Sequence, residues 1–189
     1  MKDVALAGKA GASLGPLTVG NHTSDAYLAW GAPNQISDIY GINLDHGILE
    51  TNGFSDVMGS LWVAADSAID LGASAGGILS FAASQSADDW GGTLSIIHWD
   101  GLLSGGGFEQ IRFGTSDAGL SASKLARISF IDPAGLPPGS YPAVFSTLNP
   151  GEIVPVPEPA ALTLLLALPW LRRRRRMRIT SATRLTTAA

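Results

Sequence analysis

Three histidines, His22, His46 and His98, are the side chains best suited to proton or metal chemistry near neutral pH, and they stand far apart in the chain. None belongs to a His-x-His or HExxH string, and there is no cysteine to complete a thiolate site. Each reads as a turn or surface residue. Asp88-Asp89 has the form of an acid–base pair or a Ca²⁺ site, but it lies in the turn Ser86-Ala87-Asp88-Asp89-Trp90-Gly91, where acids are solvated. Asp66-x-x-x-Asp70 lacks the Gly-anchored loop of an EF-hand. Gly105-Gly106-Gly107 is not followed by Lys-Ser/Thr, so it is no phosphate loop and reads as a hinge-like break. Trp30, Trp62, Trp90 and Trp99 could stack on sugar rings if exposed; packing at chain corners is the expectation. No cofactor, metal or catalytic residue is expected.

The chemistry the sequence does spell out is at its end. Val156-Pro157-Glu158-Pro159 is followed by an apolar run from Ala160 to Leu171 and then by Arg172, Arg173, Arg174, Arg175 and Arg176. Proline fixes φ and cannot continue a helix, which keeps such a segment extended and accessible. An apolar run favours the bilayer core, and arginines hold to the anionic cytoplasmic interface. As a helix the run reaches only about 18 Å at ~1.5 Å per residue, against a hydrocarbon core of ~30 Å. Pro169 and Trp170 lie at its inner end, where Trp suits the interface. The competing picture is a hydrophobic helix packed on the body, which has no need of adjacent arginines.

This order resembles the PEP-CTERM sorting signal of Gram-negative and related bacteria, a tail also catalogued as an ice-binding-protein C-terminal domain. The resemblance covers roughly the last fifth of the chain. It implies an exosortase as partner, transit through the inner membrane, and delivery to the cell surface or matrix, often alongside exopolysaccharide. One departure is that the chain continues beyond the arginines, from Met177 to Ala189.

Charge divides the chain the same way. Up to Leu171 there are sixteen acids and five basic residues (Lys2, Lys9, Arg112, Lys124, Arg127), a net −11, whereas the tail carries seven arginines and no acid, +7. An acidic body argues against nucleic acid as partner, since a nucleic-acid binder lines its folded surface with basic residues. Without cysteine, a core or a ladder must supply stability. Met1 to Lys9 lacks the apolar stretch of a secretory signal peptide. An export tail without an export head leads to the expectation of a fragment or misplaced start, with further repeats upstream.

The elements that must carry such a tail are short and β-like. Candidate strands in the first region are Leu17–Val19, Ala26–Trp30, Ile39–Leu44, Gly47–Glu50, Gly59–Val63, Ser67–Leu71, Ile78–Phe81 and Thr93–Trp99, most of them alternating apolar with polar or small residues. Gly47-Ile48-Leu49, Gly59-Ser60-Leu61, Gly77-Ile78-Leu79 and Gly92-Thr93-Leu94 each open a strand in a similar way. A sandwich or a solenoid would satisfy this pattern. The recurrence favours a solenoid, in which rungs that cannot bury their apolar face alone do so by stacking. Asn34–Asp38, Gly47–Ser55, Val57–Leu61 and Ser67–Gly72 also resemble autotransporter-associated β-strand repeats. That resemblance implies a right-handed parallel β-helix serving as a stalk or passenger, with no catalytic residues.

The expected fold is therefore all-β: a short right-handed β-solenoid over residues 10–100, then a capping unit over 101–150. In the second part Phe108–Phe113, Ile128–Ile131 and Ala143–Ser146 read as strands, and Ser121 caps a short helix from Ala122 to Ile128. A Pro-rich linker is expected over 151–159, a hydrophobic helix over 160–171 and an Arg-rich cytoplasmic tail over 172–189. The expected function is a non-enzymatic, surface-sorted or matrix protein, with exopolysaccharide as a candidate ligand. Two alternatives stand beside it. A β-helix polysaccharide lyase or hydrolase is weakened because residues 10–100 contain no lysine or arginine. An ice-binding module needs a regular threonine ladder, which Thr18, Thr23, Thr51 and Thr93 do not make.

Overall fold

A computed structural model describes residues 15–73, 76–85 and 89–156. The chain divides into two units, Met1–Pro157 and Glu158–Ala189, and the second lies wholly outside the described residues. Among its described residues the first is all-β apart from one helical turn. Its strands are β1 (Leu17–Gly20), β2 (Ala26–Ala29), β3 (Ile42–Asp45), β4 (Gly47–Glu50), β5 (Asp56–Val63), β6 (Ser67–Asp70), β7 (Gly77–Ala82), β8 (Leu94–Ile97), β9 (Glu109–Phe113), β10 (Ile128–Ile131), β11 (Ser140–Phe145) and β12 (Glu152–Pro155). A single turn of helix, α1 (Ala122–Leu125), precedes β10.

Pairing skips every second strand. The order is β1-β3-β5-β7-β9-β12-β11-β10-β8-β6-β4-β2, so odd and even strands form two parallel ladders joined at the carboxyl end. In the even ladder the register places Leu28 beside Leu49, Leu49 beside Ile69, Ile69 beside Ile96 and Ile96 beside Phe130. The last four of this column are fully buried. Period-two alternation puts one such residue from each strand on the inner face, and burial contributes roughly 2 kcal/mol for each large side chain.

The odd ladder is built alike but broken once. Leu17, Ile42 and Leu61 are register neighbours, and so are Leu79, Ile111 and Ile153. Between these sets the register shifts within β5, between Met58 and Ser60. Gly59 lies at this bulge because a Cβ there would fall 2.6 Å from the Gly41 amide nitrogen. The first half of β5 therefore pairs with β7 and the second half with β3. Beyond the shift, the rings of Phe81 and Phe113 stack 5.2 Å apart.

At the carboxyl end the direction changes. β11 runs antiparallel to β10, β12 antiparallel to β11, and β12 antiparallel to β9. This hairpin covers the free edges of both ladders.

Three expectations need correction. Ile39, predicted within a strand, lies in a turn and is 80 % exposed; β3 begins at Ile42. The helix stops at Leu125, because Ile128 takes a ladder position beside Leu94 that suits a β-branched residue. Residues 152–155, expected to begin a linker, form the buried strand β12. Its proline occupies the last position, where losing an N–H costs the ladder least.

Candidate functional site

The sequence points to the carboxyl boundary, and the described fold reaches it by one residue. Val156 follows β12 directly, and its amide donates to the Pro142 carbonyl at 3.1 Å. Of the sorting string only Val156 is described; Pro157, Glu158, Pro159 and the arginines Arg172 to Arg176 lie outside the described residues, as does the apolar run 160–171. Among the described residues no helix is long and apolar enough to cross a membrane.

The histidines sit at corners. All three hold positive φ, 66° at His22, 59° at His46 and 58° at His98, a conformation non-glycine residues enter mainly in tight turns. Folding brings two of them together, with the His22 and His46 rings 5.8 Å apart. His22 Nδ1 lies 2.8 Å from Asp45 Oδ1, and His98 Nδ1 lies 2.7 Å from Asp70 Oδ1. Asp70 also accepts from the Gly72 amide. Among the described residues no three His, Asp or Glu side chains converge where a metal ion could be held.

The suspected carboxylates serve turns. Asp66 accepts from the amide and the hydroxyl of Thr93, at 2.8 and 2.9 Å, and those bonds hold its carboxyl below the ordinary aspartate value. Asp89 accepts from the Ser123 hydroxyl at the start of α1, while Asp88 lies outside the described residues. The Asn21 side-chain oxygen accepts from Thr23 and Ser24, making the Asn21-His22-Thr23 string a tight turn.

Trp30, Trp90 and Trp99 are buried, and Trp62 is half-buried. Trp30, Trp90 and Trp99 belong to the core, with Trp99 set edge-on to Phe130 at 5.4 Å, and Trp62 packs against it. Thr51 is buried and donates to the Leu71 carbonyl, so it belongs to no surface ladder.

What the sequence reading missed is a set of buried charged side chains. Asp56, Glu109, Glu152 and Lys124 are each at most 1 % exposed. Asp56 Oδ2 accepts from the amides of Gln35 and Ile36 at 2.9 and 3.0 Å, which ties down the loop before β3. Glu109 accepts from the Asp100 amide. Glu152 Oε2 accepts from the Gly106 amide and from Asn149 Nδ2, both at 2.7 Å. Gly105 and Gly106, expected to act as a hinge, are a tied turn with φ of +88° and +80°. A Cβ on Gly105 would meet Ser146 Oγ at 2.1 Å. Burial raises the carboxyls of Asp56 and Glu109 above their ordinary values, against the opposing pull of the amides that donate to them.

Lys124 donates to the Ser84 carbonyl at 2.9 Å, and its ammonium lies 5.3 Å from the Trp62 ring centroid. One signal for these groups was legible. Glu109 shares strand parity with Ile111 and Phe113, which places a carboxylate on the inner face.

No protein-family model, no curated protein and no solved structure matches this chain.

Proposed function

We propose that this chain is a non-enzymatic display module, a short right-handed β-solenoid carried to the bacterial surface or matrix by a PEP-CTERM tail. Support for the solenoid comes from the skip-one parallel pairing and from the apolar column of Leu28, Leu49, Ile69, Ile96 and Phe130. In this reading β11 and β12 are the cap, since a stack needs an end unit that covers its last strand edges.

The observation that carries the sorting half is the position of the boundary. Strand pairing ends at Pro155, the Val156 amide makes one more bond, and the Pro157-Glu158-Pro159 string begins at the next residue. A cut by an exosortase beyond Val156 would remove none of the described strands. Residue usage supports a passive body. The buried acids hold loop amides, the tryptophans fill the core, and two of the histidines pair with corner aspartates. Exopolysaccharide is the proposed neighbour at the surface.

The test is replacement of Pro157, Glu158 and Pro159 by alanine in a bacterium that makes an exosortase. The unaltered chain should be cut and reach the surface, and the variant should stay uncut in the inner membrane. Equal surface exposure of both would reject sorting by this tail. Calorimetry of the released product against exopolysaccharide then tests the neighbour, and absence of heat at millimolar sugar would remove it.

A further inference from the structure

Among the described residues six non-glycine positions hold positive φ, and Asp132, at 48°, is the one that stands before a proline. A proline ring crowds the backbone of the preceding residue and favours extended conformations there, so a left-handed Asp132 is strained. The surroundings hold it in that state from both sides. The Asp132 amide donates to the Gly139 carbonyl at 2.8 Å, and Asp132 Oδ1 accepts from the Gly139 amide at 2.7 Å. Past the bond, Pro133 is buried, and the Ala134 amide donates to the Trp99 carbonyl at 2.9 Å. Asp132 itself is exposed to water.

We propose that the Asp132–Pro133 bond is a self-cleavage site, cut by the Asp132 carboxyl without a protease. The chemistry needs these two residue types in this order. An aspartyl carboxyl is one methylene from its own Cα, so Oδ2 can attack the carbonyl carbon of the same residue and close a cyclic anhydride. The C–N bond to Pro133 then breaks. Its electron pair stays on the proline nitrogen, which takes up the carboxyl proton. That nitrogen belongs to a tertiary amide and accepts a proton more readily than an ordinary peptide nitrogen. Water opens the anhydride, leaving a carboxyl terminus at Asp132 and an amino terminus at Pro133. The Gly139 amide restricts the carboxyl, and breaking the bond removes the crowding by the proline ring. The cut falls in the loop between β10 and β11. β11 keeps its pairing with β10 and β12 its pairing with β9, so the closing hairpin stays seated without a covalent link to β10. None of this depends on the sorting tail.

The test is a time course of the purified full chain in mildly acidic buffer with protease inhibitors, read by intact mass under denaturing conditions. Fragments 1–132 and 133–189 should accumulate at least about tenfold faster from the folded chain than from the same chain held unfolded in urea. Without denaturant the two fragments should elute together. Pro133→Ala restores an ordinary peptide bond and Asp132→Ser removes the carboxyl; each should stop the cut while circular dichroism stays that of the unaltered chain. The comparison in urea needs no variant, so it decides even where a substitution impairs folding. Absence of these fragments, an equal rate in urea, or a cut that persists in either variant would overturn the proposal.

Discussion

The middle rungs and the closing end of this molecule are stabilised by different means. From β4 to β8 the inner face of the even ladder is an apolar column, with main-chain bonds between the strands and a mixed outer face that carries Ile48, Glu50, Asp70, Ser95 and Ile97. At the closing end, around β9, β12 and α1, three charged side chains are inside: Glu109, Glu152 and Lys124. The reason is geometric. A repeating parallel rung satisfies its own main-chain groups, whereas the long loop between β8 and β9 leaves amides that no neighbouring strand takes up. The carboxylates of Glu109 and Glu152 take up such amides, at Asp100 and Gly106. Regular stacking is stabilised by burial, and closure adds hydrogen bonds to one oxygen each of Glu109 and Glu152, whose other oxygen is buried without a partner.

That contrast can be broken from either side. The largest effect is expected from Phe130→Ala, which empties the end of the even column and should cost about 4 kcal/mol in denaturant unfolding. A loss under about 1 kcal/mol would mean that the column is not the main support.

Next comes Glu152→Ala. It removes the carboxylate oxygen that accepts from the Gly106 amide and the Asn149 side chain and should cost about 2 kcal/mol, most of it restored by Glu152→Gln, which keeps an acceptor in place. If glutamine fares no better than alanine, the negative charge rather than the hydrogen bond is what closure requires.

The smallest effect sharpens the picture through pH. The Glu109 carboxyl titrates above its ordinary value of 4.5 in the folded chain, so between that value and its raised folded value the native state holds a proton that the unfolded state has lost. Stability from this group is full below pH 4.5 and declines as pH rises through the folded value. Glu109→Gln should flatten that decline in thermal melts from pH 4 to pH 7, leaving the acid limb of the other carboxylates in place. An unchanged slope would show that Glu109 ionises as freely inside as outside.

Local sequence made most strands legible and the closing end much less so. Gly47–Glu50 and Ile128–Ile131 were readable to the residue, because alternation of apolar and polar side chains is set by the pleat. β12 was hidden, since Glu152-Ile153-Val154-Pro155 does not alternate and is buried on both faces. The bulge in β5 was marked by Gly59, yet its effect on register depends on how closely Tyr40 and Gly41 approach it.

By itself the sequence determined the kind of structure and the asymmetry of the chain: short alternating strands, an acidic body without cysteine, and a Pro-Glu-Pro string ahead of an apolar run and five arginines. Those features follow from neighbouring residues and need no knowledge of what lies across a ladder. Only the tertiary structure decided which strands pair, that Lys124, Asp56 and Glu152 are buried, and that His22 meets Asp45 from 23 residues away. Pairing partners here are separated by about twenty residues or more within each parallel ladder. Contacts at that range depend on the whole stack at once, and local propensity does not encode them.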